Sequence, residues 1–345
     1  MSLNLISNSA LKGSLKLPDI NAPLPAGAAL FADFAGSRFV MKYATGQVKR
    51  GASAKEVISF QRSSPATRIG PSGLIEYLMA DEPAIGYHPT THECLGVLVE
   101  SLSNNWLAYS QDFTQSASWT ASGVTLTDSD AVSPDGNSTA TKLIETSGSS
   151  AVAHTLQAIT TLAATAGQPY TFSIWAKSNT GNVLQIAAQG AVTTTQFVNF
   201  DLKNGVIGKS SPQVLQATME QFINGWYRCS ITISPTSSAS PQFTLALTGG
   251  DSSASAVPAY IASSPGSVWI WGAQAERRDG CSSYIPTTGA SGTRAAVICT
   301  TPTTADFVVA TGGTIMLTCV QPHSIQSVSG VYNALACAAV IDNSA

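Results

Sequence analysis

One alternating segment indicates the structural class of this chain: Tyr170-Thr171-Phe172-Ser173-Ile174-Trp175-Ala176-Lys177. Its apolar face carries Tyr170, Phe172, Ile174 and Ala176, and its more polar face carries Thr171, Ser173, Trp175 and Lys177. A period of two residues predicts a half-buried strand. The same alternation recurs in residues 226–233 and 242–247. Short strands separated by turn residues, without a long helical pattern, predict an antiparallel β-sandwich.

A tight hairpin is predicted where Asn204-Gly205 separates two apolar stretches, Phe200-Asp201-Leu202 and Val206-Ile207. An Asn-Gly pair suits a two-residue turn in which both residues take a positive φ.

Composition narrows the class of function. Of the 345 residues 44% are hydrophobic, which is enough for a substantial core, but only 11% are charged, against about 25% in ordinary soluble domains. The net charge of -3 lacks the basic excess of proteins that bind phosphate backbones, so no nucleic-acid partner is expected. No apolar run approaches the roughly 18 residues of a membrane span, and residues 1–10 do not resemble a signal peptide. We therefore expect a soluble protein, made in a cytoplasm and not inserted in a membrane.

Four regions are predicted along the chain. Residues 1–29 end in a proline-rich stretch and form an extended arm or linker, and residues 30–97 form a small β-rich connector. Residues 98–296 form the sandwich. After a flexible boundary rich in small residues, residues 297–345 begin a further β-rich region, with its clearest strand at residues 313–320.

Several motifs, in this order, resemble a jelly-roll module of tailed-bacteriophage fibres, tail spikes and head fibres. They lie at residues 94–119, 134–143, 170–177, 224–229, 268–276 and 283–296, and a similar upstream connector lies at residues 33–34, 58–62 and 66–70. The chain departs from the usual pattern at Trp106-Leu107-Ala108 and in residues 279–282. The resemblance covers residues 30–296.

This resemblance implies a carbohydrate-binding-module-like jelly roll in a virion structural protein, either a tail fibre, a tail spike or a head fibre. It further implies a homotrimer that is anchored to other virion proteins through its N-terminal region. Its function would be host attachment or display, since fold alone does not establish sugar binding.

Candidate glycan-binding residues come from the polar faces of two strands. Trp175 and Trp226 lie there near Lys177 and Arg228, and an exposed flat ring can stack on a sugar of a host surface polysaccharide. The alternative is that both rings pack under a loop, in a second layer or in a trimer contact.

The strand at residues 268–271 is expected to be buried on both sides. Trp269 and Trp271 share one of its faces, and Val268 and Ile270 share the other. The two tryptophans are therefore interpreted as core or interface residues.

Catalytic and metal-binding signals are weak. His88, His92 and Glu93 lie in a turn, and Asp128, Asp130 and Asp135 lie in a turn-rich segment where Asx-turn capping explains them more simply than Ca²⁺. A glycan depolymerase would need two carboxylates about 5–9 Å apart, which distant strands can supply. The six cysteines form no CxxC pair and are interpreted as buried thiols. We expect no enzyme, metal site or cofactor.

Overall fold

The computed structural model describes residues 59–160 and 163–299 in full, together with the backbone of residues 30–33, 38–42, 48–51 and 300. Contacts divide the described residues into two compact units. The first contains the strands before Arg62, Leu95–Val97 and the strand that begins at Ile298. The second contains Arg62–Cys94 and Leu98–Val297. The domain boundaries expected at residues 98 and 296 stay predictions.

Every regular element except one 3-10 turn at Ile223–Gly225 is a strand in the part of the chain that the structure describes. The strands are, in chain order, β1 (Leu30–Asp33), β2 (Arg38–Lys42), β3 (Val48–Gly51), β4 (Ser59–Gln61), β5 (Ala66–Ile69), β6 (Ile75–Leu78), β7 (Ile85–Tyr87), β8 (Cys94–Val97), β9 (Ser103–Asn105), β10 (Trp119–Ser122), β11 (Val124–Ala131), β12 (Ala140–Glu145), β13 (Val152–Ala158), β14 (Tyr170–Ser178), β15 (Val183–Gln189), β16 (Gln196–Asp201), β17 (Val206–Ser210), β18 (Gln216–Gln221), β19 (Tyr227–Ile233), β20 (Gln242–Leu247), β21 (Ala259–Tyr260), β22 (Ser267–Glu276), β23 (Gly292–Arg294) and β24 (Ile298–Thr300).

Two antiparallel sheets form the sandwich in the second unit. The first sheet has the order β10-β13-β20-β15-β16-β17, with β21 added to β13, and the second has the order β11-β12-β22-β14-β19-β18. Neighbours in each sheet are mostly distant in sequence, which is the topology of a jelly roll. The core between the sheets contains Phe172, Ile174, Ile186, Phe200 and Phe243, among others. The predicted fold class, an all-β jelly-roll sandwich, is confirmed.

The alternating patterns are confirmed on the core side. Tyr170, Phe172, Ile174 and Ala176 of β14 all lie in the core, as do Cys229, Ile231 and Ile233 of β19 and Phe243, Leu245 and Leu247 of β20. Their outward neighbours are also mostly buried. Additional layers therefore cover the outer faces of the sheets.

The hairpin between β16 and β17 is present, but its predicted turn is wrong. Asp201 pairs with Val206, so four residues form the loop instead of two. Gly205 has a φ of 67°, whereas Asn204 does not take a positive φ. The Asp201 carboxylate instead accepts hydrogen bonds from the backbone N–H groups of Lys203 and Asn204. Consecutive positive φ values occur at Asn224 (58°) and Gly225 (76°), between β18 and β19.

A short connector segment belongs to the same compact unit as the sandwich. Arg62 organises it, donating from its guanidinium to the carbonyl oxygens of Ser64, Met79 and Glu82. The pair β5–β6 follows, and Ile75 of β6 is 4% exposed. The connector therefore supplies apolar side chains that can cover a sheet.

Some predictions fall outside the described residues, namely the N-terminal arm at residues 1–29 and the strand at residues 313–320. Within the described ranges, no helix is both long and apolar enough to cross a membrane.

Candidate functional site

The outer face of the second sheet has three zones along the direction of its strands. A polar zone contains Ser173, Arg228, Gln274 and Glu276. An aromatic layer, which we define as Trp175, Phe222, Trp226, Trp271 and Tyr284, occupies the centre. A charged rim, defined as Asp130, Lys142, Lys177 and Trp269, lies at the other end. The three zones differ in the kinds of side chains that they contain and are described in turn.

Rings pack edge to face in the aromatic layer. The Trp175 ring centroid lies 5.6 Å from that of Phe222, 5.5 Å from that of Trp271 and 5.4 Å from that of Tyr284. These tilted arrangements are the favourable geometry for aromatic pairs. Ile75 and Ile69 of the connector pack against the same cluster. The layer is a second hydrophobic core, closed by the connector.

The exposure expected for Trp175 and Trp226 is therefore wrong. Each ring is only 1% exposed, and the Trp226 indole N–H donates to the carbonyl oxygen of Val132. Their strand faces were assigned correctly, but the connector and the loops cover that face. The alternative of a second packed layer is confirmed, and neither ring is presented to a sugar.

Arg228 is also buried, with 8% exposure, so its expected role in binding a glycan is corrected as well. Its guanidinium lies 4.3 Å from the Trp175 ring centroid. It donates to the Ser282 carbonyl oxygen and the Ser173 hydroxyl. A guanidinium held over an aromatic face and fixed by hydrogen bonds stabilises the fold. It is not available to a ligand.

The charged rim contains Trp269, which, like Trp106, is only partly buried. The register partners of Trp269 on the two sides are Lys142 and Lys177. Its indole N–H donates to the Asp130 carboxylate at 2.8 Å, and the Lys142 ammonium lies 3.2 Å from that carboxylate. The Lys177 ammonium lies 5.5 Å from the Trp269 ring centroid. Trp269 and Trp271 are both expected to be core or interface residues; Trp271 is a core residue, fully buried, and whether Trp269 lies in an interface stays a prediction.

Electrostatics keep the carboxylate of this rim ionised. The hydrogen bond from Trp269, followed by the contact with Lys142, lowers the pKa of Asp130 below its ordinary value. Asp130 therefore remains an anion at neutral pH and holds one indole and one ammonium in place. Lys177 makes no ion pair with any described residue. The rim carries two positive charges and one negative charge.

A strap covers part of the outer face of the first sheet, and we define it as residues 249–258. The Gln185 side-chain amide donates to the Ser255 carbonyl oxygen and accepts from the Val257 N–H at 2.7 Å. Asn199 donates to the carbonyl oxygens of Ser252 and Ala254. Both amides are fully buried. Because the strap satisfies them, these outward polar groups are structural.

A polar latch links the chain segments that enter and leave the two sheets, and we define it as Glu100, Ser103, Glu276, Ser283 and Arg294. The Ser103 hydroxyl donates to Glu276 at 2.6 Å. Arg294 lies 3.1 Å from the Glu100 carboxylate and donates to the Ser283 hydroxyl at 2.7 Å. Burial lowers the pKa of Arg294, while Glu100 and Glu276 oppose that shift. Breaking a buried ion pair costs about 3–5 kcal/mol, so the latch fixes how the chain enters and leaves.

The histidine and aspartate candidates occupy turns. The His88 imidazole accepts from the N–H groups of Thr90 and Thr91, and Asp135 accepts from the N–H of Asn137. The latter contact confirms the interpretation of Asp135 as an Asx-turn residue. Among the fully described side chains, no group of three or more His, Cys, Asp or Glu residues could hold a metal ion.

Sequence reasoning missed two exposed features. The apolar residues on both faces of the strand at residues 268–271 predict Trp269 as a core or interface residue, whereas the structure leaves it partly exposed. Tyr77 is 51% exposed, and its hydroxyl accepts from the Gln111 amide and donates to Asp135. The rim could have been identified from the position of Trp269 between Lys142 and Lys177 on neighbouring strands. That position is known only once the pairing of the strands is known.

Comparisons with known proteins add little beyond this geometry. No family model and no curated protein sequence matches the chain. Similar solved structures include the enzymatically active domain of tailspike protein 4 from bacteriophage CBA120, with 12% identity and a TM-score of 0.29 over 48% of this chain and 20% of that chain. They also include the carbohydrate-binding and catalytic modules of an endo-1,4-β-D-xylanase from Clostridium thermocellum complexed with xylohexaose, with 11% identity and a TM-score of 0.31 over 53% of this chain and 30% of that chain.

A third similar structure comes from a study of carbohydrate-binding modules of the β-sandwich superfamily. It shares 10% identity and has a TM-score of 0.32 over 69% of this chain and 84% of that chain. The regions similar to this chain make up only 20% of the tailspike chain and 30% of the xylanase chain. At TM-scores and identities this low, the similarities carry no argument about activity, ligand or partner.

Proposed function

We propose that this chain is a structural protein of a bacteriophage fibre or spike, which displays its jelly roll and assembles as a homotrimer in the virion. Its N-terminal region anchors it to other virion proteins. The mechanism is assembly and presentation, without catalysis. The ordered sequence motifs that resemble phage fibre modules support the virion assignment.

The main structural support for this proposal is the position at which the chain enters and leaves the second unit. In the first unit, Gln61 at the end of β4 is the direct register partner of Ile298 at the start of β24. All residues of the second unit lie between these two positions in sequence. The sandwich is thus an insertion in the chain of the first unit. An insertion of this kind adds a module to a protein that assembles, and the strands on either side of the insertion still pair with each other.

Within the second unit, the strands that precede and follow the two sheets also pair with each other. Strand β9 pairs with β23 through the register partners Asn105 and Gly292, Asn104 and Thr293, and Ser103 and Arg294. The latch adds buried hydrogen bonds and an ion pair to these partners. Entry and exit are therefore held together as a fixed attachment, which suits a displayed module.

The oligomeric state tests the proposal. The purified chain should run as a trimer in size-exclusion chromatography with multi-angle light scattering. A monodisperse monomer that still unfolds cooperatively would contradict the assembly function.

The rival function is a module that binds a glycan or receptor on the host surface. Trp175, Trp226 and Arg228 do not support it because they are buried. The specific observation that favours it is the charged rim, where Lys177 and Trp269 are only half-buried. We found no feature of the described residues that specifically favours a polysaccharide depolymerase.

A further inference from the structure

The charged rim combines an aromatic ring with two cations at adjacent register positions. Lys142 and Lys177 are the partners of Trp269 on either side. Adjacent strands are about 4.8 Å apart, so the two lysine backbones are separated by about 10 Å across the ring. The Lys177 ammonium lies over the Trp269 ring, and the Lys142 ammonium pairs with Asp130. The long, flexible lysine stems allow both ammonium groups to move to one acceptor beside the ring.

Hydrogen bonding fixes the ring in advance. The Asp130 carboxylate accepts from the Trp269 indole N–H at 2.8 Å and lies 3.2 Å from the Lys142 ammonium. Trp269 also packs against the buried aromatic layer. A ring held by both an anchor and packing loses little conformational entropy when a ligand binds.

Charge selects the kind of ligand. Lys142 and Lys177 outnumber Asp130, and Lys177 has no carboxylate partner among the described residues. An anion is therefore favoured over a neutral or cationic group. Two lysines in a chain with a net charge of -3 are too few for a nucleic-acid footprint. An aromatic surface beside a cation suits a ligand with a flat apolar side and one carboxylate.

We infer that the charged rim is a contact site for an acidic saccharide, with a uronic-acid carboxylate held by Lys177 and Lys142 and the sugar's C–H face against Trp269. This inference rests on the proposed display function, since it names what the displayed module contacts. The site is small, so a single contact is weak and gains strength from several copies in an assembled fibre.

The test uses the full chain and two matched probes, tetragalacturonate and its methyl ester, which removes the carboxylate charge. Indole N–H signals of the six tryptophans are followed by NMR during titration, and Trp269→Phe assigns the Trp269 signal. The expected result is a saturable shift of that signal with tetragalacturonate at millimolar concentration, and at least about tenfold weaker binding of the ester.

Variants locate the contact. Binding by the variants is followed through the NMR signals of tetragalacturonate, which do not require the Trp269 indole. Lys177→Gln and Trp269→Ala should each weaken tetragalacturonate binding by about five- to tenfold or more. Lys203→Gln should leave binding unchanged, because Lys203 is exposed in the β16–β17 hairpin of the other sheet. Thermal unfolding of each variant checks that the fold is retained.

Three outcomes overturn the inference: no shift of the Trp269 signal, equal binding of acid and ester, or equal affinity of Lys177→Gln and the unmodified chain. Light scattering on the same samples separates this failure from failure of the display function. A trimer that does not bind the saccharide refutes only the contact site, whereas a folded monomer refutes the proposed assembly.

Discussion

At the scale of single residues, Gly272 sets which side chains of β22 reach the outer face. It has a φ of 66°, and a Cβ at this position would lie 2.8 Å from the Trp175 ring. The register between β14 and β22 shifts here, which is a β-bulge that adds one residue to β22. Beyond the bulge Ala273 and Ala275 face the core, so Gln274 and Glu276 face outward.

Exposure of a tryptophan depends on what covers its strand, and alternation does not contain that information. Trp175 and Lys177 were correctly assigned to the outward side of β14. The connector and Phe222 cover Trp175, whereas Lys177 lies beyond that cover at the rim. The bulge at Gly272 also interrupts the alternation of inward and outward side chains along β22, and a strict two-residue period does not predict such an interruption. Sequence predicted the faces, and tertiary packing decided which residues could contact a ligand.

Truncation of Trp175 tests the aromatic layer. Trp175→Ala should lower the free energy of unfolding by about 3–5 kcal/mol, because it opens a cavity among Phe222, Trp271 and Tyr284. Chemical denaturation followed by circular dichroism measures this loss. Trp269→Ala is the matched control and should lower the free energy of unfolding by less, since the Trp269 ring is only partly buried. A cost below about 1 kcal/mol for Trp175→Ala would be inconsistent with a packed layer.

At the scale of elements, the strap shows how an irregular segment closes a sheet. Val257 has a φ of 44°, which is unusual for a β-branched residue and stores strain. Its N–H donates a hydrogen bond to the side-chain amide oxygen (Oε1) of Gln185. The strands beneath were predictable from alternation, but the amides that anchor the strap come from β15 and β16. A contact between such distant segments leaves no local pattern in the sequence.

Removal of the Gln185 amide tests the strap. Gln185→Ala deletes its hydrogen bonds with Asn199, Ser255 and Val257. Amide hydrogen exchange of Val257 should accelerate by about tenfold or more, while amides within β16 keep their protection. Gln189→Ala, at the half-buried end of the same strand, is the control. Unchanged exchange at Val257, or equal acceleration throughout β16, would show that Gln185 does not hold the strap.

At the scale of the whole molecule, the relation of the sandwich to the rest of the chain is the basis of the functional account. The jelly roll was predictable because its strands alternate and its turns are marked by Asn, Gly and Pro. The pairing of β4 with β24 was not, since residues 59–61 and 298–300 are far apart in sequence and too short to show a pattern. Only the three-dimensional structure identifies the sandwich as an insertion.

Excision of the sandwich tests most directly the claim that the sandwich is an insertion in the chain of the first unit. Gln61 and Ile298 are direct antiparallel partners, so an Asn-Gly turn can replace residues 62–297 and join β4 to β24 as a hairpin. The excision also removes Leu95–Val97, which belongs to the first unit.

Light scattering then compares the excised and intact chains. Under the proposed display function assembly resides outside the sandwich, so both chains are expected to form the same oligomer, a trimer. A trimeric intact chain together with a monomeric or aggregated excised chain would contradict it.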